Sequence, residues 1–196
     1  MSEFLKKIKI YFELSKVAPI SRRYFVMNGF DGAMIILGIV IGAYLAGTSN
    51  PIWIITTGLG ASVAMGLSGF YGAYATEEAE RIRTLNNLEK SMLKKLDKSI
   101  IGRAGKFATV WVALIDGLSP FFIAIISLIP FIFSILGFIP VVHAIYFSMG
   151  ITLFILFLLG IFLGKISKKN IIISGIKMLL VGLILTLISF VFKLVA

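Results

Sequence analysis

Residues 140–164 read PVVHAIYFSMGITLFILFLLGIFLG, with no Asp, Glu, Lys or Arg among them. As a helix this stretch rises about 37 Å at roughly 1.5 Å per residue. That is enough to cross roughly 30 Å of hydrocarbon. Apolar and polar positions do not alternate, and the run is about twice the length of a barrel strand. Four further apolar runs lie outward from it, at 26–46, 51–75, 107–132 and 171–195. The chain has 196 residues, 59% hydrophobic and 14% charged, whereas a soluble domain carries about 25% charged residues. A soluble core of this size cannot hide so much apolar surface. The sequence predicts an all-α membrane protein with five transmembrane helices, helices 1–2 in 26–75 and helices 3–5 in 107–196.

The polar segments set its orientation. The joint Gly47-Thr48-Ser49-Asn50-Pro51 and the stretch 133–139 carry no charge. Six basic residues precede the first run, eight lie in 76–106, and four surround the start of the last run; Lys193 alone falls on the other side. The positive-inside rule then predicts a cytoplasmic N-terminus and an outside C-terminus. The formal charge of +10, flanking apolar spans, points to anionic lipid headgroups and not to nucleic acid. Residues 1–25 read as an amphipathic basic surface helix, with Phe4, Leu5, Ile8 and Phe12 at helical spacing between Lys6, Lys7 and Lys9. No uninterrupted apolar core marks this segment as a signal peptide. Segment 76–106 reads as a short cytoplasmic helical loop: the second span continues outward and a short amphipathic helix follows, with Leu85, Leu88, Met92 and Leu96 on one face.

Chemistry is scarce. With no cysteine and one histidine, disulfides, thiolate sites and His clusters are excluded. No phosphate loop and no Ser–His or Glu-x-x-His arrangement is present, so the chain does not read as an enzyme. Of nine acids, Asp31 and Asp116 fall inside spans, where an ionisable group is expensive and usually functional. The bland readings are an interfacial acid for Asp31 and a protonated or hydrogen-bonded packing residue for Asp116. Met34 follows Asp31 by one turn, and Met65 sits in the second span. Methionine is ordinarily a gap filler, but a thioether beside a carboxylate favours a transition metal over calcium or magnesium. The second span carries two small-residue stripes, Gly58-Ser62-Gly66 and Gly60-Ala64-Ser68-Gly72; the first has Gly38 and Gly42. Such stripes let helices approach closely, within one chain or between two copies. Pro120 and Pro130 interrupt the third span and deprive it of backbone donors.

Taken together these residues resemble the vacuolar iron transporter family. Asn28-Gly29-Phe30-Asp31-Gly32 is similar to its Gly-x-x-Asp-Gly element, and Gly60 to Tyr71 to its Gly-rich second span with an embedded methionine. The acidic exit Glu77-Glu78-Ala79-Glu80 follows, then Ser127-Leu128-Ile129-Pro130-Phe131 and Lys177 to Gly182. The resemblance implies a homodimer of five-span subunits with a metal path between them. It implies export of ferrous iron or manganese from the cytosol in exchange for protons, the divalent ion being substrate and no cofactor being permanently bound. It assigns Asp31 and Met65 as metal ligands in the membrane and Glu77 and Glu80 as ligands at the cytoplasmic mouth. Met34, Glu78 and Asp116 are possible pathway residues. Two departures stand out. The 76–106 loop is short and mostly basic, and Gly69 occupies the position of a family glutamate. They support an alternative, a non-transporting membrane scaffold or accessory subunit of the same fold. The lack of cysteine and the abundance of Ile and Lys fit a thermophilic prokaryote, and so a multi-pass protein of the cell membrane and not of a vacuole.

Overall fold

The computed structural model describes residues 3–48 and 50–195, and the side chains of 5–48 and 50–191. The readings placed on the side chains of Phe4 and Lys193, and on Ser49, lie outside these described residues. Among the described residues six helices follow one another: α1 (Glu3–Ser15), α2 (Val17–Leu45), α3 (Pro51–Met92), α4 (Ile100–Ile135), α5 (Val141–Ile166) and α6 (Ile171–Val195). The last five are long and apolar enough to cross a membrane.

The helix ends share one device. Gly47, Leu93, Gly137 and Lys168 each have positive φ, and around each the next N–H reaches back five residues. These bonds are Thr48 to the Ala43 carbonyl, Lys94 to Glu89, Phe138 to Phe133 and Lys169 to Gly164, at 3.0–3.3 Å. This is the Schellman closure, which satisfies carbonyls that a helix end would leave bare. Two closures use glycine, which meets no Cβ penalty there. The starts are capped by side chains. Asn50 Oδ1 accepts from the Ile52 N–H at 3.0 Å and Ser99 Oγ from the Gly102 N–H at 3.2 Å. Asn170 Oδ1 accepts from the N–H groups of Ile172 and Ile173. Each cap satisfies an orphan donor, and Pro51 opens α3 where its missing N–H costs nothing.

Two boundaries differ from the sequence reading. Lys16 (φ 49°) separates α1 from α2, so residues 17–25 are continuous with the helix of the first span. The expected follow-on amphipathic helix is not separate either. α3 runs unbroken to Met92, 42 residues or about 63 Å, and the chain turns back over 93–99 into α4. No residue from 76 to 91 has a helix-breaking signal strong enough to stop a helix already nucleated in the span. The turn is fixed by Glu89, whose carboxylate accepts the Leu96 N–H at 2.5 Å.

The chain forms two compact units, Met1–Phe25 with Gly66–Leu118, and Val26–Met65 with Ser119–Ala196. In the first, Val17, Ala73, Ala108, Val112 and Ala113 form the core, with Phe12, Phe70 and Trp111 against it. α1 docks on α4 by aromatic contacts: Phe12 lies 5.2 Å edge-on from Trp111 and 5.6 Å from Phe107. Its Leu5, Ile10 and Leu14 stay exposed. α3 and α4 cross at Gly66 and Gly117, where a Cβ on Gly66 would stand 2.5 Å from the Gly117 carbonyl oxygen.

In the second unit one cluster gathers Ile36, Val40, Ile54, Leu128 and Phe131, and another gathers Ala33, Leu37, Ile41, Leu156 and Leu159. Between membrane helices such packing gains dispersion contacts, since lipid is as apolar as leucine. Glycines set the close approaches. A Cβ on Gly160 would stand 2.5 Å from the Ser174 carbonyl oxygen, and one on Gly175 2.6 Å from the Phe157 ring. The Ser148 hydroxyl donates to the Ser127 carbonyl at 2.7 Å, tying α5 to α4 in a buried position.

Candidate metal-transport residues

The Asn28 to Gly32 element divides its labour. A Cβ on Gly29 would meet Ile123 Cδ1 at 2.9 Å, and one on Gly32 would meet the Pro120 Cα at 2.7 Å. The two glycines therefore seat α2 against α4. With that face buried, the Asp31 carboxylate is turned outward and exposed. Met34 is not part of the outward face: it is half-buried and packs against the cluster of Ala33, Leu37 and Ile41, which is the gap-filling role ordinary for methionine. Met65 is half-buried on α3.

The two small-residue stripes have different fates. Gly58 is buried against Leu128 and Ile36, Ser62 is 2% exposed, and Gly66 crosses Gly117. The stripe Gly60-Ala64-Ser68-Gly72 is exposed throughout. Nothing stands within 4 Å of a Cβ on Gly60, Gly72, Gly38 or Gly42.

Asp116 is buried in its unit, 5% exposed, beside the Gly66–Gly117 crossing. Glu77, Glu78 and Glu80 have partners on their own helix. Glu77, 9% exposed, lies 3.5 Å from Arg81. Glu78 accepts the Tyr74 hydroxyl at 3.1 Å. Glu80 lies 4.0 Å from Arg83, with both side chains mostly in solvent; an exposed pair of this kind contributes about 0–1 kcal/mol. Among the described residues no three His, Cys, Asp or Glu side chains of one chain gather where they could hold a metal ion. The partners Tyr74 and Arg81 escaped the sequence reading, although each stands four residues from its acid, the spacing that brings side chains together on a helix.

Comparison with known proteins places these observations. The model of the VIT family matches residues 91–193, which include Asp116 but not Asp31, Met65, Glu77 or Glu80. An uncharacterised protein of the archaeon Methanocaldococcus jannaschii is 41% identical over 184 residues, 87% of each chain. Five apolar helices, an outward carboxylate on the first of them and these two matches lead to one conclusion: the chain belongs to the VIT family of multi-pass membrane metal-ion transporters, which are not enzymes.

Proposed function

We propose that the protein exports a divalent transition metal, iron or manganese, from the cytosol in exchange for protons. The observation that carries this reading is Asp31, a carboxylate turned outward from a helix long and apolar enough to cross a membrane. Such a group is expensive against lipid, and a second copy of the chain would cover it. The exposed Gly42, Gly60 and Gly72 and the half-buried Gly38, where an added Cβ would meet nothing within 4 Å, support a homodimer closed over these faces. Two Asp31 carboxylates would then face each other across the two-fold axis. Like charges so placed cannot both ionise cheaply, so the pair retains a proton. An entering dication displaces it, and reprotonation from outside releases the metal. Met65 adds a soft ligand that favours iron or manganese over calcium. Glu77 and Glu80 attract the ion at the cytoplasmic mouth, with Glu78 beside them. The N-terminus faces the cytosol, the basic residues meet anionic headgroups, and the membrane is that of a prokaryotic cell.

The test is flux into proteoliposomes under an imposed pH gradient, comparing ferrous iron, manganese, cobalt and zinc. Wild type should show gradient-dependent flux that Asp31→Asn removes without changing elution or melting. Unimpaired flux in Asp31→Asn sinks the mechanism. No flux for any metal, in protein shown to be folded, favours the scaffold alternative, which the self-paired acids of the exit would then explain.

A further inference from the structure

Glu77 differs from the other acids of the α3 extension in being buried. An ionised carboxylate out of water is costly unless a countercharge stands beside it. Here that countercharge is Arg81, one turn on, its Nε 3.5 Å from Glu77 Oε2. The Arg81 stem lies along α4, where a Cβ on Gly105 would stand 3.9 Å from its Cδ. This draws the guanidinium inward until 19% of the side chain is exposed. Its Nε and one terminal nitrogen are buried without a hydrogen-bond partner. Burial pulls the guanidinium below its ordinary pKa and Glu77 opposes that pull; it stays charged, as arginine does in proteins.

The contact is thus a charge pair without the forked, two-bond grip that makes arginine–carboxylate pairs strong. Arg81 neutralises Glu77 but holds it loosely. A dication offers the same carboxylate twice the charge and direct oxygen ligation. The neighbouring acids are differently placed: Glu80 and Arg83 are exposed and screened, Glu78 is bound to Tyr74, and Glu89 holds the turn.

We propose that Arg81 is a built-in competitor for metal at Glu77. It keeps the carboxylate occupied when metal is scarce, and it sets the concentration at which metal takes over. This inference rests on the reading of Glu77 as a metal ligand at the cytoplasmic mouth.

The experiment uses the full chain with manganese as probe. Flux is measured against metal concentration in proteoliposomes. Equilibrium binding is measured by calorimetry in detergent. Arg81→Gln should lower both the half-saturating concentration and the dissociation constant about five- to tenfold, with maximal flux unchanged. Arg81→Lys, which keeps the charge, should stay near wild type. In a Glu77→Gln background, Arg81→Gln should have no further effect. A purely structural Arg81 would instead lower the melting temperature and the maximal flux together, without tightening binding. Should Arg81→Gln not fold, Arg81→Met, which retains the apolar stem, is read in the same way. Wild-type flux and binding with no shift in the Arg81 variants overturn this inference alone. No flux and no binding in wild type overturn it together with the reading of Glu77 as a ligand.

Discussion

Asp31 and Met65 hold their positions for different reasons, and substitutions separate them. The outward carboxylate makes no contribution to the core of its unit, so Asp31→Asn should melt like wild type. Met65 is half-buried. Met65→Leu conserves volume and should cost under about 1.5 kcal/mol of stability, while removing the sulfur. Competition flux between manganese and magnesium should therefore shift toward magnesium in Met65→Leu; an unchanged ratio would remove Met65 from the metal path. Asp31 was legible in the sequence because a carboxylate amid apolar residues is conspicuous. The pairing of Glu77 with Arg81 was legible only in principle. Its four-residue spacing was present, but burial against α4 gives the pair its weight, and burial belongs to the fold.

At the scale of elements, helix ends carry testable chemistry. Asn170 caps α6 with two bonds to its carboxamide oxygen. Asn170→Ala should destabilise the protein by about 1 kcal/mol, read as a lowered melting temperature in detergent. Leu93 has the opposite character: it ends α3 at φ 50° and is 94% exposed. A left-handed residue with a Cβ costs roughly 1–2 kcal/mol relative to glycine's freedom there. Leu93→Gly should therefore raise the melting temperature, a gain partly offset by glycine's larger entropy in the unfolded chain. The span positions could be read from hydropathy alone. The unbroken run of α3 to Met92 could not, because the polarity of 76–91 marks where the membrane ends, not where the helix ends.

At the scale of the whole molecule, the sequence lacks cysteine, so single cysteines report topology without background. Lys98→Cys should react with an impermeant maleimide only from the cytoplasmic side, and Phe138→Cys only from outside. The reverse pattern would invert the orientation and with it the direction of transport. The exposed glycine faces allow a second test. Gly60→Leu meets nothing inside the chain and should leave the melting temperature of the subunit unchanged, while cross-linking and gel filtration report loss of the proposed dimer. Gly160→Leu should do the converse, since a Cβ there meets α6 backbone at 2.5 Å and the subunit itself would fail.

The sequence by itself determined the class and the five spans. Those follow from the free energy of placing each residue in water or hydrocarbon, which is a property of composition along the chain. It also marked Asp31, since the cost of a carboxylate in lipid needs no partner to be recognised. Only the tertiary structure decided which glycine stripe is consumed within the subunit and which is left open. The two stripes on α3 are both built of small residues, and what divides them is the direction each faces once α4 has packed. The same holds for Met34, which the fold turns into a core. It holds for Glu77 too, whose burial beside Arg81 depends on a stem of arginine lying along α4. Side-chain direction is set by packing, and packing is a relation between segments that no single stretch contains.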